Sequence, residues 1–259
     1  ITLMKLGFIG TGNISSDVVS GICNSKISYN KIILSPRNKK KSLKLKKKFK
    51  KIEIAKTNQE VIDKSDWIFL GVLPEVGEKI LPKLKFKPKQ TVVSFISTIN
   101  YNELKKILKK KSNIVRAIPM PPISLGKGPI AIFPPHKNVK MFFNKIGNTI
   151  EIKSEKLSKN FWATSGTMAA FYEMLKVLSE WLVKKGLSRI QAQQYITSLY
   201  SALAELAAAN SKKDLKYFVN DSQTPGGLNW QGVNELRKFG YYKSLQKTIN
   251  NILKRLNRS

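Results

Sequence analysis

A chain of 259 residues, 42% hydrophobic and 24% charged, has ordinary globular composition and can bury one large core or two smaller ones. No apolar run is long enough to span a bilayer, so no membrane association is expected. One cysteine, Cys23, and one histidine exclude an internal disulfide framework and a Cys/His metal site; a reducing cytoplasm is the expected setting.

The charge is lopsided, with 47 Lys+Arg against 16 Asp+Glu and a formal net of +31. Lysine-rich stretches recur at 39–51, 83–89, 105–111 and 137–145, so no single patch is marked. They lack the interleaved aromatics of a single-strand binder, and no specific nucleic-acid partner is expected. Lysine filling the solvent faces is the plainer reading. Self-repulsion then predicts that moderate salt raises the melting temperature by screening. A thermal melt that moves down as salt is added counts against it.

The first ten residues are apolar but broken by glycines, and no small-residue cleavage site follows, so they read as a strand and not a signal peptide. Strand-like runs are expected at 5–9, 31–35, 67–72, 91–96 and 113–118, with a helix over 15–24 and a basic segment after the second run. Strands alternating with helices imply a parallel sheet built by right-handed crossovers. Further strand-like pieces at 130–133 and 149–152 extend it at the far side. Beyond residue 155 the pattern turns helical. A core-facing stripe over 169–185 carries Phe171, Met174, Leu175, Leu178 and Leu182; Gly186 ends that helix and Ser188 caps the next, over 191–210. A last helix runs through 231–238 or resumes at 242–256. These helices are too apolar to stand alone, so dimerisation is the natural remedy.

The sharpest local signal is Gly7-Phe-Ile-Gly10-Thr-Gly12-Asn13-Ile14-Ser15, directly after the first strand and opening the first helix. Gly10 allows the tight turn. Gly12 lets a pyrophosphate approach the helix N-terminus, where free N–H groups and the dipole favour negative charge. Ser15, at the third fingerprint position, is small enough for close helix–sheet packing. The end of the second strand reads Ser35-Pro36-Arg37-Asn38, followed by Lys39, Lys40 and Lys41. It has no carboxylate to accept from a ribose 2′-hydroxyl. Arg37 offers a planar fork to a 2′-phosphate, and Ser35 or Asn38 a hydrogen bond, so NADP(H) is favoured over NAD(H). The fold expected is α/β: a Rossmann domain over 1–154 and an all-α dimerisation and substrate domain over 155–259.

Order and spacing across nearly the whole chain resemble the pyrroline-5-carboxylate reductase family. The resemblance rests on the glycine turn, Ser35 to Asn38, Phe69-Leu-Gly-Val72-Leu73-Pro74, Val93-Ser-Phe-Ile96 and Val115-Arg-Ala-Ile-Pro119. It continues through Gly126-Lys-Gly128, Glu155 with Ser165-Gly166, and Pro225-Gly226-Gly227. It implies an NADPH-dependent reductase of a cyclic imine, assembled as a homodimer or a ring of dimers. It also implies cofactor contacts at Gly10, Gly12, Asn13, Ile14, Ser35, Arg37, Asn38, Val72, Leu73, Pro74 and Ser97. Substrate contacts fall at Met120, Met168, Gly226, Gly227, Leu228 and Asn229. Four segments depart from the family pattern. Leu73 stands where Lys is usual, and Pro121-Pro122 follow Met120. Thr167-Met168-Ala-Ala-Phe171 replaces Ser-Gly-Pro-Ala-Tyr, and Leu228-Asn229 replaces the two threonines where the substrate carboxylate docks.

A protonated iminium needs no acid to collapse a developing anion, which suits a candidate pocket without His, Asp or Glu. A carbonyl acceptor requires a donor, for which Thr167 and Ser165 are the catalytic candidates with Tyr172 nearby; both hydroxyls serve equally as helix caps. Trp162 and Met168 are also candidates for core packing, and His136 for a surface role. Three other readings stay open: an NADP-dependent reductase of a different imine or carbonyl, a 3-hydroxyacid dehydrogenase-like enzyme using a lysine such as Lys176, and a non-catalytic NADP-binding regulator.

Overall fold

A computed structural model describes residues 3–109 and 113–258. The chain divides into two compact units, Ile1–Ser158 and Lys159–Ser259.

The first unit alternates strand and helix from β1 (Met4–Ile9) and α1 (Asn13–Cys23) through β2 (Tyr29–Leu34), α2 (Lys39–Lys48), β3 (Ile52–Ile54) and α3 (Asn58–Asp63). It continues with β4 (Trp67–Leu70), α4 (Pro74–Ile80), β5 (Thr91–Ser94), α5 (Tyr101–Leu108) and β6 (Ile114–Ile118). It closes with β7 (Pro129–Phe133), α6 (Lys137–Phe143) and β8 (Asn148–Glu151). The described strands form one sheet in the order β3-β2-β1-β4-β5-β6-β7-β8. All neighbours run parallel except β6 and β7, which pair antiparallel, Ala117 opposite Ile132. The alternating strands are parallel as expected, and the piece at 130–133 extends the sheet in the opposite direction. The short return through Pro121 to Leu125 and Gly126, in the left-handed region at φ 72°, reverses the chain without a crossover helix.

The central strands read as apolar runs because helices cover both faces. Phe8 and Phe69, both fully buried, stack at 4.6 Å between centroids, and Phe142 lies 5.1 Å from Trp67. The opposite face is filled by Ile9, Ile33, Leu70, Val92 and Leu104. Strand order reverses between β1 and β4, so the crevice outside their carboxyl ends is where such a sheet takes a nucleotide.

The helices that follow are α7 (Ser158–Ser165), α8 (Met168–Lys184), α9 (Arg189–Ala209), α10 (Leu215–Asp221), α11 (Leu228–Lys238) and α12 (Tyr241–Arg258). Gly186, at φ 104°, follows the end of α8 as expected. Ser188 and Gln191 form a reciprocal capping box at the start of α9. The second unit keeps much apolar surface outside. Along α9 the residues Tyr195, Leu199, Leu203 and Leu206 are all exposed at helical spacing. The stripe expected on α8 is likewise exposed at Phe171. No helix among the described residues is long and apolar enough to cross a membrane.

Candidate coenzyme and substrate site

The turn after β1 is held by the end of β2. Gly10 sits at φ 93°, and its N–H donates to Ser35 Oγ at 2.9 Å. The Thr11 hydroxyl donates to the Ser35 carbonyl, the one Ser42 hydroxyl proton has Thr11 Oγ1 at 3.0 Å and that carbonyl at 3.3 Å within reach, and Asn38 Nδ2 donates to Thr11 O at 3.2 Å. Asn38 in addition caps α2, its side-chain oxygen accepting from Lys41 N–H. Ser35, 1% exposed, and Asn38 thus brace the turn, while Arg37 is exposed at the same bend. Thr11 and Ser42 escape a sequence reading, since only the fold brings these small hydroxyl residues together. Lys41 Nζ donates to Asn13 Oδ1, adding a cation beside the first turn of α1.

Gly12 is the N-cap of α1, no side chain caps the helix, and no acid lies in its first turn. A Cβ built on Gly12 meets only the Gly71 carbonyl oxygen, at 3.6 Å. That is ordinary van der Waals contact, and it leaves the helix start with backbone N–H groups of the kind that can cradle an anion. Ser15 packs against Gly71, where an added Cβ would lie 2.0 Å from Ser15 Oγ. That hydroxyl is fully buried without a hydrogen-bond partner among the described residues. An orphaned buried hydroxyl costs about 1–3 kcal/mol, so Ser15→Ala is expected to raise the melting temperature, as calorimetry would read. Asp17, the one acid of α1, has its pKa raised by burial, with Lys41 opposing.

The remaining predicted cofactor residues follow β4 and β5 at the same edge of the sheet. Val72 precedes Leu73, the N-cap of α4, and Pro74 opens that helix. Leu73 is 74% exposed. Ser97 lies in the loop after β5, and Met120 follows β6.

The second unit carries the other candidates. Ser165 Oγ donates to Phe161 O at 2.8 Å and Thr167 Oγ1 to Thr164 O at 2.7 Å. Neither hydroxyl caps a helix; both bond back along the preceding turn. Met168 opens α8 and is exposed. Gly226, at φ 74°, makes the turn into Gly227, the N-cap of α11, which again lacks a side-chain cap. Leu228 is 88% exposed at the first helical position, and Asn229 Nδ2 donates to Ser222 O at 2.9 Å. His136 caps α6, with Nδ1 accepting from Val139 N–H, a structural role within the fold. Lys176 is paired with Glu173 at 2.7 Å on the surface of α8, and that contact raises its pKa. Lys176→Ala is accordingly expected to leave turnover intact; loss of rate would revive the lysine-based alternative. No cluster suited to a metal occurs among the described residues.

Comparison with known proteins finds two domains in the chain. Residues 5–101 match the family model described as NADP oxidoreductase, coenzyme F420-dependent, and residues 155–258 match pyrroline-5-carboxylate reductase dimerisation. A pyrroline-5-carboxylate reductase of Synechocystis is 25% identical over 257 residues, covering 95% of this chain and 94% of the relative. Two solved structures share the fold throughout. The Coxiella burnetii pyrroline-5-carboxylate reductase has a TM-score of 0.85 at 21% identity over 100% of this chain and 98% of that one. The Plasmodium falciparum pyrroline carboxylate reductase, solved with NADP bound, has a TM-score of 0.81 at 23% identity over 98% and 97%. A nucleotide-type reductase domain followed by a helical dimerisation domain defines the class as an oxidoreductase. Within that class, residues 155–258 carry the pyrroline-5-carboxylate reductase dimerisation domain, and the chain is similar over nearly its whole length to reductases of that family.

Proposed function

We propose that this protein reduces a cyclic imine with NADPH, its substrate being pyrroline-5-carboxylate and its product proline. The observation that carries the coenzyme choice is Arg37, exposed at the end of a β2 that offers no carboxylate, with Lys41 beside the turn. Gly10, Gly12, Asn13 and Ile14 would hold the pyrophosphate at the start of α1. Arg37 would hold the 2′-phosphate, and Ser35 and Asn38 would act by keeping the turn in shape. Val72, Leu73, Pro74 and Ser97 follow the strands of the second half of the sheet and are proposed to line the nicotinamide side.

When bound, NADPH supplies the hydride, and the chain's task is to hold the acceptor carbon in reach. The hydroxyl hydrogens of Ser165 and Thr167 are directed to helix carbonyls, which leaves their oxygens as acceptors. That polarity suits holding the N–H of a protonated imine. A carbonyl acceptor, which needs a proton given to it, is served less well. The uncapped start of α11 at Gly226 and Gly227 would receive the substrate carboxylate through backbone N–H groups, which do not depend on the missing threonines. Met120, Met168, Leu228 and Asn229 are proposed to frame the substrate.

We further propose division of labour near residue 154, with 1–154 binding coenzyme and 155–259 serving dimerisation and substrate binding. The homodimer or ring of dimers rests on the exposed apolar stripe of α9, and a cytoplasmic setting on the single unpaired cysteine. The test is loss of NADPH absorbance under a panel of cyclic imines and ketones. Reduction of pyrroline-5-carboxylate above all others is the expected result. Binding of NADPH with no acceptor ever reduced would make the chain a regulator instead.

A further inference from the structure

Arg116 lies on β6 and is 6% exposed, in a strand otherwise built of apolar residues. Taking a guanidinium out of water is costly, and replacing a buried ion pair with apolar side chains is often neutral or stabilising. Its presence therefore calls for a use other than stability. Its Nη1 is paired with Glu155 Oε1, and its Nη2 donates to Ser97 O at 2.7 Å and, at the limit, to Ile96 O at 3.5 Å. The same Glu155 oxygen accepts the Tyr101 N–H at 2.8 Å, the first residue of α5. One guanidinium–carboxylate pair thus holds both ends of the segment from Ile96 to Tyr101. Ile96 and Ile99 anchor that segment in the core, while Ser97 and Thr98 face outward. It follows β5, at the carboxyl edge of the half-sheet that receives the nicotinamide nucleotide in a fold of this kind.

We infer that Arg116 and Glu155 are positioning residues that set the backbone of residues 96 to 101 against the nicotinamide ring, and so govern hydride geometry and not the grip on the adenylate half. The inference rests on the coenzyme reading above. Arg116→Lys keeps the charge but loses the planar fork that serves carboxylate and carbonyls together. The double variant Arg116→Met/Glu155→Leu removes the pair without stranding either charge.

The experiment uses the full chain and three readouts: binding of adenosine 2′,5′-bisphosphate, the fluorescence of bound NADPH, and turnover with 4-deuterated NADPH. Both variants should bind the bisphosphate within about twofold of the unmodified chain, because Arg37 and the glycine turn are untouched. Bound-NADPH emission should move toward that of free coenzyme. Turnover should fall by roughly 10- to 100-fold, with a larger primary isotope effect as chemistry becomes limiting. Unchanged emission in a folded double variant overturns the inference. So does a double variant that fails to fold or loses bisphosphate binding, which would assign the pair to the scaffold. An unmodified chain that binds NADPH but reduces no imine defeats the imine-reductase reading alone, since emission still decides the role of the pair.

Discussion

Gly12→Ala is expected to leave the melting temperature in place while lowering NADPH affinity by at least tenfold, and Gly10→Ala to damage both. The two glycines stand two residues apart yet differ in what surrounds them. A Cβ on Gly10 would lie 2.6 Å from the Gly71 carbonyl oxygen, at a φ of 93° that side chains rarely adopt. Such a backbone position costs about 1–3 kcal/mol when forced, before the clash with an adjacent strand end is counted. The turn must move, and with it the N–H that Gly10 gives to Ser35. At Gly12 the added methyl makes one ordinary contact, 3.6 Å from the Gly71 carbonyl oxygen, so the fold tolerates it. That position is where the pyrophosphate would have to approach the helix, and the methyl occupies it. Thermal melts and calorimetric titration of both variants check the pair of outcomes. Normal NADPH binding by Gly12→Ala would refute the cradle.

Arg37→Ser should weaken NADPH by roughly 10- to 100-fold while leaving NADH within about twofold. A charge-assisted contact to phosphate is worth about 1.5–3 kcal/mol, and each 1.4 kcal/mol is tenfold in Kd. Arg37→Asp should go further. Its carboxylate would repel a 2′-phosphate and accept from a ribose hydroxyl, so the preference should turn toward NADH. Ser35→Ala, in contrast, should weaken both coenzymes together, because that hydroxyl braces Gly10 and is buried away from any ligand. Fluorescence titration with the two coenzymes separates these cases. Equal losses for both at Arg37 would remove the basis for NADPH selectivity.

The local parts of this fold are legible in the sequence because local chemistry dictates them. Gly10 and Gly12 between an apolar run and a helix, Gly186 after a helical stripe, and Ser188 as the cap of the next helix were all readable from neighbours in the chain. What was not readable depends on contacts made far along it. The edge strand β3 is three residues long and takes its direction from pairing with β2, leaving no periodicity to detect. The helices α7 and α10, of eight and seven residues, are also short. The site shows the same split. Arg37 could be nominated from its place after a strand, whereas the duty of Ser35 depends on a glycine 25 residues away. Likewise Glu155, read as a spacing marker, acquires meaning only once folding brings Arg116 beside it, 39 residues back.

The outward-facing leucines of α9 have a kinetic consequence. If two chains must meet to cover them, completing the protein is a second-order process whose rate scales with the square of chain concentration. Newly made chains then face a choice between the right partner and indiscriminate clumping, settled by how crowded they are with their own kind. At low expression the slow step in obtaining active protein becomes encounter, not folding.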